Sequence, residues 1–221
     1  NSNVYSWMFR RAPGFFDVVC WSGTGANTAY THNLQVAPEL VIVKNRTDAY
    51  VGSVFTGFTS GSYQWAQNLF SSAGTDAFES NSYTGQMYAQ PTSTQLFVKT
   101  QQGINQSGKN YVAYLFASCP GVSKVGSYTG TGTTKQIDCG FSAGARFVLI
   151  KRTDSTGDWY VWDSARGITA GNDPYLLLNS TAAEVTSTDY IDPSSAGFEI
   201  SSSAPAAINA SGGSFIYLAI A

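Results

Sequence analysis

Residues 125–154 read VGSYTGTGTTKQIDCGFSAGARFVLIKRTD, and residues 18–48 read VVCWSGTGANTAYTHNLQVAPELVIVKNRTD. A shift of 107 positions lays Trp21 on Tyr128, Gly23 on Gly130, Gly25 on Gly132 and Lys44 on Lys151 with no gap. Both stretches then close on Arg-Thr-Asp, one residue out of step. An internal repeat constrains a fold before any local pattern does, and this one predicts a tandem duplication of about 105 residues.

Further matches continue to the C-terminal end. Pro91-Thr-Ser-Thr-Gln-Leu-Phe-Val98 aligns with Pro193-Ser-Ser-Ala-Gly-Phe-Glu-Ile200, and Ile104-Asn105-x-Ser107-Gly108 with Ile208-Asn209-x-Ser211-Gly212. Tyr111–Ala117 aligns with Phe215–Ala221. The offset drifts to 102 and 104 in these matches, as expected when insertions gather in loops. The halves are therefore 1–117 and 125–221, with 118–124 as the connection. A connection this short does not suit freely moving domains. The halves should pack closely, either as two small sandwiches sharing an interface or as one large one.

Leu40-Val-Ile-Val-Lys44 and Phe147-Val-Leu-Ile-Lys151 are apolar at alternate and intervening positions alike, so each predicts a central strand covered on both faces. Further strands are expected at Phe15–Trp21, Thr94–Thr100, Tyr111–Ala117, Trp159–Asp163, Tyr175–Asn179 and Phe215–Ala221. A short one is expected through Tyr5, Trp7 and Phe9, broken at Pro13. Ala49–Gln90 mixes Gly, Ser, Tyr and Phe without a clear period, and Trp65 and Tyr88 stand out there as anchors. No segment carries a capped helical stripe, although short helical turns fit near Thr169 or Ala182.

Charged residues make up 12% of the chain and aromatics 14%, which suits a packed β protein and argues against disorder. With a net charge of −2 and only two adjacent basic pairs, Arg10-Arg11 and Lys151-Arg152, there is no basic stripe for nucleic acid. Three cysteines at unrelated spacings read as free, mostly buried thiols, or as one bridge with a leftover thiol. No apolar run approaches a membrane span and no signal peptide is read. A chain opening on Asn1 is expected to be processed or to be a segment of something longer.

His32 is the single histidine, and its partner under the repeat is Cys139. It has no G-x-S-x-G elbow or further zinc ligands for company, and reads as a loop histidine. A glycosidase needs two carboxylates about the scissile bond. None of Asp154, Asp158, Asp163, Asp173, Glu184, Asp189, Asp192 or Glu199 pairs with another at same-face spacing on one strand. Asp154-Ser-Thr-Gly-Asp158 reads as a tight turn, since it lacks the alternating acids of a calcium loop. No catalytic residue, metal or cofactor is expected. The aromatics are more informative. Along Trp159–Asp163, alternation puts Trp159, Val161 and Asp163 on one face and Tyr160 and Trp162 on the other. One tryptophan is expected inside and the other outside. Tyr160, Trp162, Asp163, Arg166 and Asp173 then form the candidate binding group, suited equally to a sugar or to a subunit interface.

Phe9-Arg-Arg-Ala-Pro-Gly-Phe-Phe-Asp-Val-Val, the twice-used Gly-Thr-Gly, Gly121-Val-Ser-Lys-Val-Gly-Ser-Tyr-Thr-Gly130, Arg146-Phe-Val-Leu-Ile-Lys-Arg-Thr-Asp154, Gly157-Asp-Trp and Tyr217-Leu-Ala-Ile-Ala together resemble a family of bacteriophage virion proteins. Its members are frequent in marine and cyanobacterial phages and form domains of tail or tail-fibre proteins. The resemblance covers almost the whole chain. It departs between Tyr50 and Tyr88, where the Trp159–Asp163 strand has no clean counterpart. It implies an all-β sandwich similar to jelly-roll or concanavalin-type lectin domains, located in the virion. It also implies contacts with other virion proteins and with a host-surface glycan or receptor, and a homo-oligomer, trimeric if in a fibre. Neither nucleic-acid binding nor membrane insertion is implied. Unpaired cysteines fit assembly in a reducing cytoplasm.

Overall fold

The computed structural model describes residues 6–49, 52–59, 61–66, 69, 75–82, 85–101 and 103–221. It is an all-β sandwich of antiparallel sheets. The first half supplies β1 (Phe16–Ser22), β2 (Thr28–Thr31), β3 (Leu40–Asn45), β4 (Ser53–Thr59), β5 (Ser62–Ala66), β6 (Glu79–Ser82), β7 (Gln95–Val98) and β8 (Asn110–Phe116). The second supplies β9 (Ser123–Thr129), β10 (Lys135–Asp138), β11 (Phe147–Arg152), β12 (Trp159–Asp163), β13 (Leu176–Leu177), β14 (Ile191–Ser194), β15 (Gly197–Ile200), the one-turn helix α1 (Ala206–Asn209) and β16 (Ser214–Ile220).

One large sheet runs β1-β8-β3-β4-β5-β6 and the other β13-β12-β11-β16-β9. Read from its first strand, the second sheet goes β9-β16-β11-β12-β13, so the two use their strands in the same order up to the sixth strand of the larger sheet. Each half also holds a small sheet, β2-β7 in the first and β10-β15-β14 in the second.

Three apolar clusters lie between these four layers. In the first, Val19, Trp21, Val41, Val43, Phe55, Tyr63, Leu96, Val98 and Tyr111 join the first large sheet to β7. In the second, Tyr128, Ile137, Val148, Ile150, Trp162, Phe198 and Phe215 do the same for the second half. The third lies between the large sheets, where Phe16, Leu40, Ile42, Val54 and Phe116 meet Phe147, Leu149, Trp159, Val161 and Leu218. The doubly apolar strands are thereby explained. Leu40 and Ile42 face the other half while Val41 and Val43 face their own small sheet, and Phe147 and Leu149 alternate with Val148 and Ile150 in the same way. Both strands are central: β3 lies between β8 and β4, and β11 between β16 and β12.

The twin motifs interlock in each half. Asn105 is fully buried; its Oδ1 accepts from the Thr24 N–H (3.2 Å) and the Tyr30 hydroxyl (3.0 Å), and its Nδ2 donates to the Ala26 carbonyl (2.7 Å). Asn209 accepts from the Thr131 N–H (3.0 Å) and donates to the Thr133 carbonyl (2.8 Å). The Gly-Thr-Gly turn thus supplies the backbone that the asparagine six strands later must satisfy. Glycine is required there, because a Cβ on Gly23 would lie 2.0 Å from the Gln106 oxygen and one on Gly130 2.3 Å from the Ala210 oxygen.

The N-terminal expectation needs correction. Tyr5 lies outside the described residues, and 6–11 join no sheet. Here side-chain packing prevails over strand alternation. Phe9 fills a gap between the large sheets, edge-on to Phe147 (5.4 Å), Phe16 (5.7 Å) and Phe116 (5.8 Å). The middle of the first half also differs: Phe55, Tyr63 and Met87 are its fully buried anchors, while Trp65 and Tyr88 are half-buried. The Tyr175–Asn179 strand shrinks to the two residues of β13, and the helical turn sits at α1 rather than near Thr169 or Ala182.

Candidate functional site

β12 contains no exposed aromatic. Both faces of this strand are covered, so Trp162 packs in the second core and Trp159 between the large sheets, exposed by 0% and 1% respectively. The expected outward tryptophan is therefore corrected. Its neighbour strands explain why: β11 and β13 flank β12, and a layer lies above each face. Tyr160 is buried too, stacked on Trp162 at 5.7 Å and tilted against Tyr175 at 5.1 Å. The half-buried Tyr175 in turn stacks on Tyr190, also half-buried (5.6 Å, 27°).

The polar members of the predicted group serve two separate places. Asp163 Oδ1 accepts from the N–H groups of Ala165 and Arg166, both at 3.0 Å, which closes the turn after β12. Its Oδ2 pairs with the Arg166 guanidinium and accepts the Trp7 indole N–H. Arg166 lies over the Trp7 ring at 5.3 Å, with Glu184 3.8 Å from its Nε. Asp173 belongs elsewhere. It is enclosed, its Oδ1 accepts the Tyr190 N–H at 2.7 Å, and its backbone pairs with Thr188. Burial pushes its pKa up to about 7 against the N–H groups of Tyr190 and Ile191, with Asp189 adding to the rise. The Trp162 indole lies beside it and opposes that rise, yet neither Trp162 Nε1 nor Asp173 Oδ2 completes a hydrogen bond of normal geometry.

The other reactive groups are also accounted for. His32 is buried, its Nδ1 accepts from the Leu34 N–H, and burial pushes its pKa down. Asp154 is held by Arg152, whose hydrogen bond lowers its pKa. Asp158 accepts from Asn179 Nδ2. All three cysteines are free, but only Cys139 is buried, Cys119 is half-buried and Cys20 is exposed. No group of three or more His, Cys, Asp or Glu among the described residues could hold a metal. No helix among them is long and apolar enough to cross a membrane.

A groove opens instead where β9, the edge strand of the second large sheet, passes beside β4 and β5 of the first. It encloses about 560 Å³, in the range of small-molecule sites. Its polar lining comes from Glu39, Gln64, Gln90, Ser118 and Ser127, and its apolar lining includes Phe58, Pro91, Val125 and Ile216. The β4–β5 register slips by one residue between Thr56 and Thr59. Gly57 takes a φ of +61° within that bulge. Bulges re-aim side chains, and this one sets half-buried Phe58 against the groove and the first core. Sequence reasoning missed this site because its two walls lie in different halves and its bulge falls in the aperiodic middle.

Neither the curated proteins nor the solved structures contain a match to the chain. A family model does match, the one described as Domain of unknown function (DUF7483), over residues 9–221. With nearly its whole length aligned to that model, the chain belongs to the DUF7483 family.

Proposed function

We propose that this chain is a structural domain of a bacteriophage virion, part of a tail or tail fibre, that attaches the particle to a host-surface glycan or receptor. The observation that carries the reading is the open groove between two halves that share a core, since a rigid scaffold with a preformed cleft binds at low ordering cost. The sequence resemblance supports the virion setting, and the matching strand orders of the two large sheets support descent by tandem duplication. Repeated copies on one particle, as in a trimeric fibre, raise weak single-site binding by avidity. Antibodies against the chain test the placement: decoration of the tail or fibres of intact particles, with neutralisation of infection, is the expected result.

A second reading has its own support. The aromatic and charged residues of the β12 region are spent on packing, which suits a module that only cements or decorates the particle. Decoration without neutralisation, in particles that fall apart when the domain is deleted, would favour it.

A further inference from the structure

We infer that the groove between β4, β5 and β9 takes a neutral oligosaccharide, an inference that rests on the attachment reading. The chemistry of the wall argues for that class. Gln64, Gln90 and Ser127 are exposed, and their side chains form no hydrogen bond to other described residues. They present amide and hydroxyl groups that both donate and accept, as sugar hydroxyls do. Glu39 is the one charged residue among the lining residues, and no Lys or Arg is there to meet a sulfate, phosphate or carboxylate. An anionic sugar would thus face an uncompensated carboxylate.

The apolar part of the wall supplies the other half of sugar recognition. Phe58 offers an aromatic surface beside Pro91, Val125 and Ile216, for the C–H face of a pyranose ring. The carboxylate is preset: Glu39 Oε2 accepts the Ser118 N–H, while Thr56 Oγ1 ties the Glu39 carbonyl. The site is composite. Gln64 and Phe58 come from the first large sheet and Ser127 from the second, so it exists only when the halves are packed.

The test is a glycan array of neutral oligosaccharides with sulfated and sialylated counterparts, probed with the whole folded chain and two variants. Gln64→Ala removes one hydrogen-bonding group, and Ser127→Tyr fills the groove from an exposed strand position. Retention of the thermal midpoint in both variants keeps folding out of the comparison. We expect neutral glycans to bind, Gln64→Ala to weaken them about tenfold, the worth of one good hydrogen bond, and Ser127→Tyr to abolish signal. Neutral binding that both variants retain, or binding confined to the acidic glycans, overturns the groove assignment and leaves glycan attachment standing. No glycan binding with intact adsorption to host cells overturns it and leaves a protein receptor. Loss of both overturns the groove and the attachment reading together.

Discussion

The indole N–H of Trp7 donates to Asp163 Oδ2 at 2.8 Å, joining residues 156 positions apart. The bond fastens the N-terminal arm of the first half to the end of β12 in the second, over the guanidinium that Asp163 also holds. Asp163→Ala should therefore cost about 3 kcal/mol, because it removes the carboxylate paired with the enclosed Arg166 guanidinium together with the acceptor of the Ala165 and Arg166 N–H groups. Trp7→Phe keeps most of the ring packing and should cost about 1–2 kcal/mol. Urea unfolding measures both. Equal, small losses would show that the arm is not fastened through this carboxylate.

The asparagine clamps make a matched pair of predictions. Asn105→Ala removes the bonds to the Thr24 N–H, the Ala26 carbonyl and the Tyr30 hydroxyl, and Asn209→Ala removes those to the Thr131 N–H and the Thr133 carbonyl. Each should lower stability by about 1–3 kcal/mol, as a buried asparagine gives up two or three hydrogen bonds to its turn and leaves a gap. Thermal unfolding of the two single variants gives the comparison. A change under about 0.5 kcal/mol in either would mean that water replaces the side chain.

Asp173 sets a pH dependence of definite sign. Its pKa rises from 3.8 to about 7 on folding. A carboxyl raised in this way contributes stability fully below pH 3.8, and the contribution is lost as pH climbs through about 7. The unfolding free energy of the wild type minus that of Asp173→Asn should therefore fall between pH 4 and pH 8, by on the order of 3 kcal/mol. Taking the difference removes the opposing contributions of His32 and of Asp17, whose folded pKa values are lowered. Parallel curves would mean that Asp173 stays charged throughout.

The cysteines should separate by labelling rate. Cys20 is exposed, Cys119 half-buried and Cys139 buried with its thiol pushed up to about 11 by burial. At neutral pH a thiol-reactive dye should modify Cys20 fastest and Cys139 only on unfolding. Peptide mass mapping identifies the site. Early modification of Cys139 would show that the second core opens readily.

Much of this architecture was legible because covered strands leave a strong mark. The doubly apolar LVIVK and FVLIK announced central strands, and the glycines of Gly-Thr-Gly marked turns that backbone geometry requires. Burial on the second face was harder to read. Tyr160 and Trp162 alternate with Trp159 as a half-exposed strand would, and only the layer β10-β15-β14 turns that face inward. Lys151 shows the same limit more sharply. It looks like a strand-end lysine, yet it is fully buried, donates to the Thr75 and Gly157 carbonyls and has its pKa pushed down to about 8 by burial. Its counterpart Lys44 is half-buried. Contacts between halves depend on residues distant in sequence, and no local pattern encodes them. The groove is of that kind.

The most direct test of the attachment reading is adsorption of the purified, folded chain to host cells, with competition against infection by the phage that carries it. The account predicts saturable adsorption that blocks infection in proportion to occupancy. Folded, correctly assembled protein that neither adsorbs nor protects the cells would contradict it, and would leave the chain a structural part of the particle.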